Sequence, residues 1–272
     1  MKTVLSFVSA LVILGGFANP CGSTEPLKVM SYNIHIASPP SKPDYSHKDL
    51  QAVADVIRRT SPDIVGLQEV DKYTVRSGKQ SHQAKDLAES TGMHYHFASA
   101  SYKSDGEQGQ AILSRYPILK AESHRLPAPQ GASGETRSLA IVLVEIEGTK
   151  VAFMTVHLDH RSDTIRKFQI ETLLKHTQRY EEYPVILGGD FNMEPDDENF
   201  RLLKSQFGML TEAHPLTYPQ RNPQKAIDLI LWNKKAAETL SVEAYYTVEE
   251  RYASDHLPLV AELTFRQDTS PE

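Results

Sequence analysis

The sequence predicts an α/β protein in which mixed β-sheets pack together with helices outside them. Three observations carry this. Short apolar runs recur along the chain. Amphipathic helical patterns separate some of these runs but not others. The runs 138–146 and 150–158 are joined only by Glu147-Gly148-Thr149, which reads as a hairpin.

Taken in order, the strand-like runs are LKVMSYNI (27–34), DIVGLQEV (63–70), QAILS (110–114), SLAIVLVEI (138–146), KVAFMTVHL (150–158), PVILGGDF (184–191), AIDLILW (226–232) and LPLVAELTF (257–265). Residues 47–59 place Leu50, Val53, Ala54 and Ile57 on one helical face. Residues 164–180 do the same with Ile165, Phe168, Leu173 and Leu174. A shorter helix is expected from Ser81 through Leu87 and Ala88, with Gly92 ending it. The segments 37–46 and 124–137 carry Pro, Gly and Ser and read as loops. No repeat, low-complexity block or interdomain linker interrupts the chain, so residues 25–268 are expected to form one domain.

The first residues have a different character. Lys2 precedes an uncharged apolar run, VLSFVSALVILGGFA, that closes on small residues. This is the pattern of an export signal, expected over residues 1–24, and Gly16 and Ala18 fit cleavage after Ala18. The run is short for a membrane span. Cys21 is the single cysteine, so no internal disulfide can form. It leaves lipidation open as an alternative to simple cleavage, although Pro20 before it fits such a site poorly. The expected location is outside the cytoplasm, secreted or periplasmic. The formal net charge is −6 and becomes −7 without Lys2. With no dense Lys/Arg run, that charge weighs against a protein held mainly by nucleic-acid backbone contacts.

The stretch VILGGDFNMEP (185–195) shows where chemistry can sit. Asp190 and Asn192 lie two apart, so extended backbone aims both side chains at one face. An Asx turn is the ordinary explanation of such a pair. Other strand ends repeat the feature. Asn33 and His35 end the first run, Gln68 and Glu69 the second, His157 and Asp159 the fifth. Asp228 lies among apolar residues, and Ser254-Asp255-His256 precedes the last strand. Each has a bland reading alone: a solvated acid, a structural histidine, a turn. Together they place buried acids, amides and histidines where burial is costly without a partner.

Such a set suits phosphate-ester hydrolysis. Glu69 with Asp190 or Asp255 supplies hard oxygen ligands for Mg²⁺, Mn²⁺ or Ca²⁺. A His–Asp pair such as His256 with Asp228 supplies proton transfer or charge stabilisation. Asn33 and Asn192 can orient an oxygen without adding negative charge.

These residues resemble the endonuclease/exonuclease/phosphatase superfamily, which includes DNase I-like nucleases, abasic-site endonucleases, neutral sphingomyelinases and inositol-polyphosphate 5-phosphatases. The matching segments are SYNIH (31–35), LQEV (67–70), GQAILSRYPI (109–118), TVHLDH (155–160), GGDFNMEP (188–195), IDLILW (227–232) and SDHLPL (254–259). They occur in the family's order across nearly the whole domain. The resemblance implies a four-layer α/β sandwich, two packed mixed sheets flanked by helices. It implies Glu69 as the main metal ligand with Asn33 and Asp255 nearby, and a Mg²⁺ (or Mn²⁺ or Ca²⁺) cofactor. It implies Asp190 as the residue that activates or positions water, with Asn192 orienting the water or binding phosphate. It implies His256 on the scissile phosphate, held by Asp228. His157 matches a second histidine that abasic-site endonucleases lack. Arg115 and Arg137 are candidates to meet phosphate, Glu107 to orient His157, and Asp159 to join the site.

One position departs from the family pattern: Leu229 follows Ile227-Asp228 where an aromatic is common. The segments LQEVDKYTVRSG (67–78), TGMHYHF (91–97), Leu126-Pro127 and TRSLA (136–140) resemble compact secreted hydrolases and the lumenal domain of proteins that remodel glycosylphosphatidylinositol lipids. The expected partner is therefore a phosphoester, with a lipid head group favoured over nucleic acid, and no obligate protein partner. The expected function is an exported metal-dependent phosphodiesterase, with a DNase-like endonuclease or a phosphomonoesterase as alternatives. An inactive binding protein of the same fold and a structural secreted domain are the readings from other classes. Tyr45, Tyr73, Tyr95, Tyr102 and Tyr218 are candidates for an aromatic loop beside the site.

Overall fold

The computed structural model describes residues 25–42, 45 and 47–266. The expected export signal over residues 1–24, with Ala18 and Cys21, and the last residues of the expected domain lie outside them. Two six-stranded sheets pack face to face. The first follows the order β11–β12–β1–β2–β4–β3, from β1 (Leu27–Asn33), β2 (Ile64–Lys72), β3 (His94–Lys103), β4 (Gly106–Ser114), β11 (Leu240–Thr247) and β12 (Leu259–Phe265). The second follows β5–β6–β7–β8–β10–β9, from β5 (Lys120–Leu126), β6 (Arg137–Ile146), β7 (Thr149–His157), β8 (Val185–Asp190), β9 (Phe207–Met209) and β10 (Asp228–Asn233). Both sheets are mixed. β1 runs parallel to β2 and β7 parallel to β8, each pair linked through a helix, while the other neighbours are antiparallel.

Alternation along the strands builds three apolar layers. Val29, Ile64, Phe153, Ile186 and Ile230 pack between the sheets. Met30, Tyr32, Val65 and Leu67 face the other way, against α1 (Leu50–Thr60) and α2 (Gln83–Thr91). Met154, Val156 and Leu187 face α3 (Asp163–Thr177) and α4 (Phe200–Leu203). The result is the expected four-layer sandwich. A short α5 (Lys234–Thr239) follows β10.

The helices begin and end where local chemistry stops them. Asp49 accepts the amide of Ala52 at 2.9 Å and starts α1. Gly92, at φ 68°, ends α2 as expected. Phe168 does not join the buried face of α3 but stands exposed. Gln169 takes an inward position instead. It accepts the amide of Asp159 at 2.9 Å and donates to the carbonyls of Leu126 and Glu135. A buried amide that satisfies three backbone groups of the neighbouring loops displaces the aromatic.

Four strands were not expected from the sequence: β3, β5, β9 and β11. β5 takes residues 124–126 out of the expected loop 124–137. All four are edge strands.

Candidate active site

One rule places the site. The strand positions that carry the inter-sheet core continue, two residues at a time, into polar side chains at one end of the sandwich. β1 runs Leu27, Val29, Ser31, Asn33; β7 runs Val151, Phe153, Thr155, His157; β8 runs Ile186, Gly188, Asp190. A spacer layer lies between core and site. Gln68 donates to Thr155 Oγ1 at 2.7 Å and to Ser31 Oγ at 3.3 Å, bridging the sheets. Gly66 and Gly188 belong to this layer. A Cβ on Gly66 would stand 2.7 Å from Thr155 Oγ1, and one on Gly188 3.3 Å from the Ser31 Cβ. Here the glycines let the two sheets close on each other.

Glu69 would break the alternation, since Val65 and Leu67 face the helices. The pairing of β2 with β4 shifts between Leu67 and Val70, and Glu69 takes φ 55°. This bulge returns Val70 to the helix side and turns Glu69 toward the cleft.

Register then assembles the centre. Asp190 pairs with His157 on one side and with Asp228 on the other. Asp190 Oδ2 accepts from Asn33 Nδ2 at 3.0 Å and lies 3.5 Å from His157 Nε2 and 3.8 Å from His256 Nε2. Its Oδ1 accepts the backbone amide of Asn192 at 2.9 Å. Asn192, at φ 51°, donates its side-chain amide to the Leu158 carbonyl and lines the cleft. His256 Nδ1 bonds Asp228 Oδ2 at 2.7 Å. The loop carrying His256 is tied down by Ser254, which donates to the Asn33 carbonyl at 2.6 Å. Tyr218 packs its ring against His256.

Electrostatics separates the roles. Burial pushes Asp190 above the ordinary carboxylate range, and the charge of Asp228 adds to this. Burial alone would lower His256, but the charge and hydrogen bond of Asp228 outweigh it and raise it. Burial and the Arg137 guanidinium hold His157 well below its ordinary value, so it is neutral. Arg137 Nη1 sits 3.4 Å from His157 Nδ1. An arginine only donates, so Nδ1 is the acceptor and the Nε2 proton points at Asp190.

Asp190, Asp228 and His256 bring one ligand atom each within 4.8 Å of one another. A histidine that is protonated and bonded to Asp228 is a poor ligand, so this trio is better suited to charge stabilisation than to holding a cation. Glu69 and Asp255 also line the cleft, both partly exposed. Asn33 Nδ2 reaches Glu69 Oε1 at 3.4 Å, and Asp255 lies 3.8 Å from His35 Nδ1. Carboxylate oxygens of Glu69 and Asp255 therefore converge on the cleft that holds Asp190, whose carboxyl is raised first by burial and then by the charge of Asp228. Oxygen donors of this kind fit a hard divalent cation.

The other expected residues divide. Arg137 is buried, lines the cleft, and also contacts His160 and Glu135. Arg115 is not at the site. It follows β4 and lies at the opposite end of β2, donating to the Pro62 carbonyl and lying 3.9 Å from Asp63. Glu107 does not reach His157; it pairs with Lys72 at 2.6 Å. Asp159 organises its own loop by accepting the amides of Arg161 and Ser162. Tyr45 and Tyr218 border the cleft, whereas Tyr73, Tyr95 and Tyr102 do not. His160, Lys103, Arg76 and Lys225 also line it and were not expected. Two of them had a signal: His160 closes the matching segment TVHLDH (155–160), and Arg76 lies inside LQEVDKYTVRSG (67–78).

Residues 30–256 match the model of the Endonuclease/Exonuclease/phosphatase family. The chain belongs to the endonuclease/exonuclease/phosphatase family. Members of this family are metal-dependent hydrolases of phosphoesters. The chain is 28% identical over 249 residues to the protein YbhP of Escherichia coli, covering 87% of this chain and 95% of that one. It is 28% identical over 188 residues to a putative neutral sphingomyelinase of Caenorhabditis elegans, covering 62% of this chain and 41% of that protein. A solved mannosyl-6-phosphatase of Bacteroides thetaiotaomicron shares the fold, with TM-score 0.70, 21% identity, and 88% of this chain and all of that one covered.

Proposed function

We propose that this family member is an exported, divalent-metal-dependent phosphodiesterase that cleaves its substrate by direct attack of water. The observation that carries the reading is Asp190 set in register between His157 and Asp228, with His256 in contact and Glu69 and Asp255 in the same cleft.

Asp190 is the group that takes the proton of the attacking water. Its raised pKa makes it a stronger base than an ordinary carboxylate. The Asn33 amide, the Asn192 backbone amide and the His157 Nε2 proton fix its two oxygens. His256 presents Nε2 to the scissile phosphate, and Asp228 keeps it protonated and aimed. Arg137 adds positive charge behind His157 and fixes that ring's tautomer. Asn192 lies where it can meet the water or a phosphate oxygen. Glu69 and Asp255, with Asn33 beside them, are the residues that would hold Mg²⁺, Mn²⁺ or Ca²⁺. When bound, the metal neutralises phosphate charge and stabilises the leaving oxygen.

The diester preference rests on the similarity to the sphingomyelinase and on the resemblance of the secreted-hydrolase segments. Export rests on the charged start and apolar run before Ala18. The test compares bis-p-nitrophenyl phosphate with p-nitrophenyl phosphate, each with excess Mg²⁺. Faster turnover of the diester is expected. Turnover of the monoester alone would replace this reading with a phosphomonoesterase.

A further inference from the structure

The end of β2 and the loop after it hold a charged cluster that the chemistry above does not use. Asp71 is fully buried. A buried carboxylate is costly unless its lone pairs are filled. Here they are. Oδ2 accepts from Thr74 Oγ1 at 2.9 Å, Ser77 Oγ at 2.7 Å and Arg76 Nε at 2.8 Å, and Oδ1 accepts from Arg76 Nη2 at 2.8 Å. The backbone of the same residue is held as well, donating to Gln83 Oε1 at 2.8 Å.

The two-pronged contact fixes the plane and direction of the Arg76 guanidinium. It does not bury it. The side chain is 31% exposed and lines the cleft that holds Glu69 and Asp190. Its Nη1 donors have no partner among the described residues. Neighbouring backbone holds the loop in place: Val75 donates to the Ser104 carbonyl at 2.7 Å, and the Arg76 amide donates to Ser104 Oγ at 3.1 Å. Lys103, beside Ser104, also lines the cleft and pairs with Glu135 at 2.8 Å. A clamp needed only to fold the loop would be complete with the two hydroxyls and a buried cation. This one leaves the outer edge of a rigid guanidinium open to the substrate space.

We propose that Arg76, aimed by Asp71, is a second anion-binding position in the cleft, and that the natural substrate carries an anionic group besides the scissile phosphate. This deepens the hydrolase reading, because it names a substrate class for the same cleft. Arg76 is the binding residue, and Asp71 acts through it as a positioning residue. The anion is a phosphate or another group with paired oxygens, since the free edge of the fork matches that geometry.

The test reads binding directly, so it does not depend on turnover. Glucose 1,6-bisphosphate and glucose 6-phosphate are titrated by calorimetry into the wild-type protein, Arg76→Ala, Arg76→Lys and Asp71→Asn, in buffer containing Mg²⁺. In the wild type the bisphosphate should bind about tenfold more tightly than the monophosphate, the worth of one charge-assisted contact. Arg76→Ala should abolish that ratio. Arg76→Lys, which keeps the charge but loses the fork, should recover only part of it. Asp71→Asn should reduce the ratio without removing the charge of Arg76. Circular dichroism shows which variants are folded, and Arg76→Lys decides the matter if Asp71→Asn is not. Equal affinities in the wild type, or a ratio unchanged in Arg76→Ala, would overturn the proposal. Bisphosphate preference without hydrolysis of any diester would leave this proposal standing and remove the phosphodiesterase reading.

Discussion

At the residue scale, the site depends on how Asp228 divides charge between its neighbours. It raises His256 through a 2.7 Å hydrogen bond, and it raises Asp190 through repulsion. Removing its charge should therefore move both groups down. In Asp228→Asn, burial becomes the dominant influence on His256, and burial favours the neutral ring. The His256 resonance, followed by NMR, should titrate at a lower pH than in the wild type. An unchanged midpoint would mean that Asp228 does not hold the imidazolium. Several of these residues were legible in the sequence, because acids and histidines at the ends of apolar strands are difficult to explain as packing. Arg76 was not singled out, because an arginine in a polar loop looks solvated until its buried partner is located. Arg115 was a candidate for the reverse reason. A motif position gives order along the chain, but not which end of the strand faces the cleft.

At the scale of elements, the eight strands read from apolar runs are the interior strands of the two sheets. The four that escaped, β3, β5, β9 and β11, are their edges. Edge strands carry charges that blunt further pairing, and this erases the alternation that marks a half-buried strand. β5, KAESHRL, shows the effect, with only Leu126 fully buried. Its Glu122 collects Lys120 at 2.8 Å, His124 at 2.8 Å and Arg179 at 2.7 Å. Burial alone would raise this carboxyl, but the donors around it carry it from 4.5 down to about 2. A carboxylate depressed in the fold stabilises the protein above its unfolded pKa, and the contribution fades as pH falls toward the folded one. The stability difference between wild type and Glu122→Gln, measured by urea unfolding, should be full above pH 4.5 and shrink to nothing near pH 2. A difference that does not change over that range would show that the ion pairs contribute nothing. The Glu69 bulge was also illegible, because strict alternation would point that carboxylate at the helices.

At the scale of the molecule, the apolar layer between the sheets and the polar cleft at its end are one construction. The same inward positions run from Val29, Phe153 and Ile186 through a spacer of glycine, serine and threonine to Asn33, His157 and Asp190. Parallel pairing of β1 with β2 and of β7 with β8 brings their C-terminal ends to the same side. Strands therefore hold Glu69, His157, Asp190 and Asp228, while loops contribute Arg76, Asn192, and Asp255 with His256. In the proposed reaction this cleft hydrolyses a phosphoester with a divalent metal, and Asp190 is the base. The most direct test is the turnover of bis-p-nitrophenyl phosphate by the wild type and by folded Asp190→Asn, each with Mg²⁺ and again with excess EDTA. Wild-type turnover is expected with Mg²⁺, with its loss in EDTA and a fall of about 10²–10⁴-fold in kcat for Asp190→Asn. Wild-type turnover that survives EDTA, or an Asp190→Asn variant as fast as the wild type, would overturn this reaction.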